Sequence, residues 1–410
     1  MKLGLIGNPL VHSWSPAIHR ILIKADYQLW PLEKDQLAGF LKNRDFDGIN
    51  VTIPYKQAVM PYLDEIDEAA KMIGAVNTIV NRNGKLKGYN TDYYGVMATL
   101  RSAGFDVKGK KVAILGSGGA SKAVRVAIIE SGGIPVIVSR KPEREQISYE
   151  ELKVLQPSYI INATPVGMYP NMEAMPVDPD DYPHVEGVGD VIANPLRTRL
   201  VIKAQMKGLK TFGGLEMLVR QAFKADELFL DQKLDESLND KCLQQLIRER
   251  RNLVLIGMPT AGKSTLAAML AERTGKKLVE TDQQIVEEIA MPIAEYFSVA
   301  GEEAFRNLES QKARDLAGQT GLVISCGGGI IKREENMLNL AHNGLIVWID
   351  RNLDLLETSD SRPLSNAPWK LRKLYEERRP LYEKYSDIRI ENNGSLEETL
   401  EKLLEGDRNL

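Results

Sequence analysis

The octapeptide GMPTAGKS at 257–264 places two glycines, a lysine and a serine in the spacing G-x-x-x-x-G-K-[ST], after the apolar run 253–256 and before a helical stretch. That pattern makes a phosphate cradle. Gly257 and Gly262 let backbone N–H groups turn inward, Thr260, Ala261 and Thr265 complete the loop, and the following helix N-terminus adds partial positive charge. Lys263 then bridges the β- and γ-phosphates of ATP, and the Ser264 hydroxyl serves Mg²⁺. A second glycine turn, GSGGA at 116–120, also follows a strand-like run. Gly116, Gly118 and Gly119 meet part of the dinucleotide fingerprint; Ser121 stands at the third small-residue position, so Ala120 takes the packing role. The next strand ends in Ser139, Arg140 and Lys141, where an NAD site carries an acid for the ribose 2′-hydroxyl. Cations there suit a 2′-phosphate, so the pattern points to NADP, with Arg140 the main ligand and Arg144 a second.

Positioning such groups requires strands that break into turns, and the chain does this three times, at 3–9, 111–120 and 252–264. The fold class is therefore α/β with ligands at the carboxyl ends of parallel strands. The 410 residues exceed what one core serves. The charged, amphipathic stretch 230–251, with Leu234, Leu238, Leu243, Leu246 and Ile247 near helical spacing, reads as a closing helix and connector. The expected division is a lobe at 1–100 joined by a returning 213–235 segment, a Rossmann-like lobe at 101–212, a connector helix at 236–250 and a phosphate-loop domain at 251–410.

The last third resembles shikimate kinase over nearly all of 252–405, through ETD at 280–282, GEEAFRNLE at 301–309, SCGGGI at 325–330, RPLS at 362–365 and ERRPLYEKYSD at 377–387. Asp282, after the second strand of that domain, can accept a hydrogen bond from a polyol hydroxyl and serve as its base. Arg306 and Arg378 can each fork onto a carboxylate. Gly327, Gly328 and Gly329 admit a ring close to backbone. The resemblance makes Arg362 the lid cation on the transferring phosphoryl group and gives residue 280 a water-mediated part in holding Mg²⁺; Glu280 stands where the family usually has Asp. The stretch also lacks the additional lid arginine that many members stack on adenine.

The first 240 residues resemble shikimate dehydrogenase, through GNPLVHSWSPAIHR at 7–20, NVTIPYK at 50–56, IGAVNTIV at 73–80, GYNTDYYG at 88–95, INATPVGM at 161–168 and GGLEMLVRQAF at 213–223. Ser13 and Ser15, at i and i+2 of an extended loop, face one side and take a carboxylate. The resemblance puts Thr52, Asn77, Asp92 and Gln221 around the substrate's hydroxyls, makes Lys56 and Asp92 the catalytic pair, treats His12 and His19 as positioning residues, and adds Asn162, Thr164 and Gly214 to the cofactor site. Ala193 replaces a tyrosine that the family commonly has near the nicotinamide.

Taken together, the resemblances imply a fused enzyme that reduces 3-dehydroshikimate with NADPH and then phosphorylates shikimate with MgATP. The alternatives are an NAD-linked quinate/shikimate dehydrogenase joined to another small-metabolite kinase, or one half serving as a ligand sensor. The 53 basic and 56 acidic residues give a net charge of −3, which excludes a global pull onto nucleic acid or an anionic membrane. Two cysteines, Cys242 and Cys326, in no CxxC pairing suit neither a disulfide framework nor a zinc site. With no membrane-length apolar run, the chain reads as cytoplasmic. Oligomeric state stays open.

Overall fold

The computed structural model describes residues 1–10, 13–356 and 367–409. It divides into two compact units: Met1–Met168, Ala174–Asn194 and Lys203–Gln245 form one, and Tyr169–Glu173, Pro195–Ile202 and Leu246–Leu410 the other. His12 and Arg362 lie outside the described residues.

The chain opens with β1 (Leu3–Gly7), α1 (Ser15–Ile23), β2 (Tyr27–Pro31), α2 (Leu37–Asn43), β3 (Gly48–Val51), β4 (Glu65–Ile66), α3 (Glu68–Ile73), β5 (Thr78–Arg82), β6 (Lys85–Tyr89) and α4 (Thr91–Ser102). Their strands form one sheet in the order β2-β1-β3-β5-β6-β4. β1 is parallel to both of its neighbours, Leu3 pairing with Tyr27 and with Gly48. Every residue of β1 is buried, as a parallel strand covered on both faces requires. β5 is antiparallel to β3 and to β6, so the ends of β1 and β3 and the entries to β5 and α4 lie on one edge.

A second sheet follows, from β7 (Lys111–Leu115), α5 (Gly119–Glu130), β8 (Ile134–Val138), β9 (Gln146–Ile147), α6 (Tyr149–Leu155), β10 (Tyr159–Asn162), β11 (Gly187–Asp190), α7 (Arg199–Met206) and β12 (Lys210–Phe212). Its order is β12-β11-β10-β7-β8-β9, all parallel. The order reverses at β7, so the glycine turn after that strand opens at the switch point of a doubly wound sheet. α8 (Gly214–Leu230) then returns to the first sheet, packing along α4 and α1. A Cβ on Gly48 would lie 2.3 Å from the Phe229 ring, so only glycine at that strand position lets α8 close down. α9 (Ser237–Arg250) comes next.

The third sheet has the order β14-β15-β13-β16-β17, again all parallel. Its elements are β13 (Asn252–Ile256), α10 (Lys263–Thr274), β14 (Lys277–Glu280), α11 (Thr281–Ile289), α12 (Ile293–Ala317), β15 (Leu322–Ser325), α13 (Glu334–Ala341), β16 (Gly344–Asp350), α14 (Pro368–Tyr385), β17 (Ile388–Glu391) and α15 (Leu396–Asn409). The central strand β13 is wholly buried and ends at the phosphate loop. Among the described residues, no helix is long and apolar enough to cross a membrane.

Candidate active sites

In the first sheet, the loops after β1 and β3 are held together, with Thr52 N–H donating to Ile6 O at 2.9 Å and Asn8 N–H to Ile53 O at 3.0 Å. Gly7 fits only because it lacks a Cβ, which would lie 2.4 Å from the Thr52 methyl. Past that contact the Lys56 ammonium donates to Asp92 Oδ2 at 2.5 Å, the two side chains 28% and 16% exposed. Asp92 stands in the first turn of α4, where the helix N-terminus favours a carboxylate, and the Asn90 side chain caps that helix. Asn77 Nδ2 donates to Asp92 Oδ1 at 2.9 Å and lies 3.3 Å from Gln221 Oε1. Thr91 joins the set, its N–H on Asn77 Oδ1 at 2.7 Å and its hydroxyl on Gln221 Oε1 at 3.1 Å. The structure thus gathers Lys56, Asn77, Asp92 and Gln221 and adds Thr91, which the motif reading passed over although it precedes Asp92 directly.

The two serines form a different geometry from the expected extended loop. Trp14 has helical angles (φ −79°, ψ −16°), Ser15 is the first residue of α1, and its N–H donates to Ser13 Oγ at 3.2 Å. The i, i+2 register of a strand does not apply, because Pro16 at the helix start turns the chain early. Behind Ser15, Tyr27 donates to Asn50 Oδ1 at 2.7 Å and stacks on His19, whose Nδ1 lies 2.6 Å from Asp226 Oδ1. Burial raises the Tyr27 pKa well above its ordinary value, and burial likewise lifts Asp226, against the pull of His19.

At the second sheet, Gly116 has φ +105° and a Cβ there would meet Thr164 at 2.9 Å. Gly118 and Gly119 face open space, since a Cβ on either meets nothing within 4 Å. Open glycines at the start of α5 fit a pyrophosphate resting on the helix N-terminus. Arg140 and Arg144 are exposed beyond β8, and the Ser139 hydroxyl donates to Lys141 O at 3.1 Å. Asn162 is fully buried: its amide donates to Asp190 Oδ2 at 3.0 Å and its Oδ1 accepts from the Thr164 N–H and hydroxyl at 3.0 and 2.7 Å. Its side chain shapes the 162–166 turn and offers no exposed atom to a cofactor. Gly214 is required by close approach, as a Cβ would lie 2.2 Å from Val191 O.

At the third sheet the phosphate loop has Gly257 at φ +148°, Thr260 at +64° and Gly262 at +90°. Asn392, which the motif reading did not find, follows β17 and donates from Nδ2 to Ala261 O at 2.8 Å, pinning the loop. Lys263 curls over its own loop, donating to Gly257 O at 3.1 Å and Met258 O at 2.9 Å. Ser264 Oγ lies 3.4 Å from Ser325 Oγ, and Glu280, the last residue of β14, stands opposite Ser325 in the backbone register of β14 with β15. Across the loop, each glycine of the triplet touches a different charged side chain. A Cβ on Gly327 would lie 2.1 Å from Asp282 Oδ1, on Gly328 3.0 Å from Arg378 Nη1, and on Gly329 2.0 Å from Arg306 Nη1. Arg378 also donates to Gly328 O at 2.5 Å. Arg306 donates from Nη1 to the buried Glu309 at 2.6 Å and from Nη2 to Glu302 at 2.8 Å. Hydrogen bonds from Lys332 and Arg306 hold the Glu302 carboxyl down to about 2, whereas burial raises that of Glu309.

Residues 5–79 match the model of the shikimate dehydrogenase substrate binding domain. The chain is 41% identical over 253 residues to a Clostridium beijerinckii protein called shikimate dehydrogenase (NADP(+)), covering 57% of this chain and 94% of that one. The chain belongs to the shikimate dehydrogenase family. Among solved structures, the dehydrogenase half is similar to a chorismate mutase/shikimate 5-dehydrogenase fusion protein from Clostridium acetobutylicum (TM-score 0.57, 37% identity, 60% of this chain and 96% of that one). It is similar also to the shikimate 5-dehydrogenase of Thermus thermophilus in complex with NADP(H) and shikimate (TM-score 0.56, 32% identity, 60% and 99%). Residues 259–407 match the model of shikimate kinase. The polypeptide is therefore a bifunctional shikimate-pathway enzyme, an NADP-dependent dehydrogenase followed by a kinase.

Proposed function

We propose that the dehydrogenase half reduces 3-dehydroshikimate and that the kinase half phosphorylates the same ring oxygen. When bound, NADPH supplies hydride to the ketone carbon. Lys56 hydrogen-bonds the ketone oxygen and passes it a proton, while Asp92 keeps the ammonium aimed. Ser13 and Ser15 hold the acid's carboxylate at the end of β1, and Thr52, Asn77 and Gln221 take the hydroxyls. Gly116, Gly118, Gly119 and Ala120 carry the pyrophosphate, Arg140 and Arg144 the 2′-phosphate, with Thr164 and Gly214 lining the nicotinamide end. In the kinase half, Asp282 accepts the proton of the attacking hydroxyl, Lys263 leaves its carbonyl partners to meet the phosphates, and Ser264 with Glu280, through water, serves Mg²⁺. Arg306 and Arg378 hold the carboxylate, and Arg362 of the lid balances charge on the transferring phosphoryl group.

The observation that carries this reading is the pairing of Lys56 with Asp92 in one half and the seating of Asp282, Arg378 and Arg306 on three successive glycines in the other. The test supplies 3-dehydroshikimate, NADPH and MgATP to the purified chain. Shikimate 3-phosphate is expected, with one NADPH oxidised per product. Reduction that runs as well with NADH, or oxidation of quinate as fast as shikimate, refutes the specificity assigned.

A further inference from the structure

Arg306 offers two edges, and neither is open. Its Nη1 donates to Glu309, which is 1% exposed and so a fixed partner. The outer edge, Nε and Nη2, meets a single oxygen, Oε1 of Glu302, at 3.2 and 2.8 Å. Lys332 Nζ donates to that same oxygen at 2.8 Å. One carboxylate oxygen drawing hydrogen bonds from a guanidinium fork and an ammonium describes an anion site, and here the occupant comes from the chain itself. Glu302 differs from Glu309 in being removable, since its side chain is 42% exposed. It also follows a break in the backbone. Gly301 has φ +85° and ψ 167° inside α12, so Glu302 starts a new helical segment at a residue where the chain can turn.

We infer that Glu302 is an internal stand-in for the substrate's carboxylate, closing the outer fork of Arg306 and the Lys332 ammonium until a carboxylic acid displaces it. The inference rests on the reading that Arg306 receives the acid in the kinase half. Binding is then an exchange of one carboxylate for another, so the buried guanidinium keeps an anionic partner throughout. Two consequences follow. The acid's apparent affinity is set by its difference from Glu302 rather than by the whole strength of the Arg306 contact. Lys332 becomes a second cation for the incoming carboxylate.

The experiment measures the KM for shikimate in ATP-dependent phosphorylation by the full chain without NADP, because that readout ignores shikimate bound in the dehydrogenase half. Glu302→Gln keeps the side chain's size and removes the competing charge, and a 5- to 30-fold lower KM with kcat within twofold is expected. Glu303→Gln makes the same change in net charge one residue away, on a side chain that pairs with Arg333, and is expected to leave KM within twofold. An unchanged or higher KM in the folded Glu302→Gln protein overturns the inference, as does an equal fall in both variants, which would indicate long-range attraction alone. Arg306→Met separates the layers: if it leaves the shikimate KM unaltered, the placement of the acid at Arg306 has failed, whereas a rise of 100-fold or more with no Glu302→Gln effect condemns only the stand-in.

Discussion

Gly329→Ala tests the seating of the kinase site on its glycines. The new Cβ would lie 2.0 Å from Arg306 Nη1, against about 3.4 Å for ordinary contact, so the guanidinium must retreat by roughly 1.4 Å. The fold should survive, because the obstructing atom is the far end of a flexible side chain. The ion pair does not survive unchanged. At 2.6 Å from Glu309, a retreat of that size takes the pair to about 4 Å, and with an effective dielectric of ~20 the Coulomb term falls by ~2 kcal/mol. The same displacement pulls the fork from an incoming carboxylate and, in part, from the resident Glu302, so the full loss is an upper bound: we expect the shikimate KM to rise by between roughly 5- and 40-fold, with thermal stability falling by up to ~2 kcal/mol. Steady-state phosphorylation at saturating MgATP measures this, with NADP-linked oxidation of shikimate as an internal control expected to stay within twofold. A Gly329→Ala protein that melts normally and keeps its shikimate KM within threefold would refute the reasoning. Gly327→Ala, which crowds Asp282 instead, should depress kcat rather than raise KM, and Gly328→Ala, at 3.0 Å from Arg378, should be the mildest of the three.

Lys56→Ala should lower reduction of 3-dehydroshikimate by at least 10³-fold while phosphorylation stays near normal, and Lys263→Ala should do the reverse; both rates are read on one preparation. Replacing Arg140 and Arg144 together by alanine should raise the NADP⁺ KM roughly 10- to 100-fold and leave that for NAD⁺ nearly unchanged, which a cofactor titration of shikimate oxidation reports. Burial lowers the His342 pKa to about 4 from its ordinary 6.5, so the folded protein holds fewer protons than the unfolded chain between those values. The associated stability is fully present above pH 6.5 and lost as pH falls through 4, on the order of 3 kcal/mol. Urea unfolding between pH 7 and 4 should show that slope, and His342→Gln should flatten it.

What the sequence made legible was chemistry tied to local backbone demands. A phosphate loop needs glycines at fixed offsets, so GMPTAGKS and GSGGA announce their turns before any contact is known. The signal read for NADP was equally local, because Arg140 and Arg144 follow one strand end. The pairing of Lys56 with Asp92 needed the family resemblance, since nothing in 36 residues of separation tells a lysine which aspartate it meets. Contacts across longer stretches stayed hidden: His19 finds Asp226 at a separation of 207 residues, and Asn392 grips the phosphate loop from 131 residues away. The extended geometry expected of Ser13 and Ser15 failed for a local reason, as Pro16 favours a helix start over a strand. Asn162 shows the converse. Its motif was visible, but the full satisfaction of its amide by Asp190 and Thr164 depends on where β11 runs.

The return of α8 to the first sheet sets a timetable for synthesis. The strand carrying Gly48 leaves the ribosome roughly 180 residues before Phe229, the ring that Gly48 exists to admit. At 5–20 residues per second that is a wait of about 10–40 s, during which the first sheet lacks Phe229 from its core and Gln221 from its hydrogen-bond network with Thr91 and Asn77. The nascent lobe must therefore shelter an open apolar seam until the whole dinucleotide-binding segment has emerged. Chaperone demand should fall on this interval, and a chain arrested before residue 221 should expose that seam however well its own strands have paired.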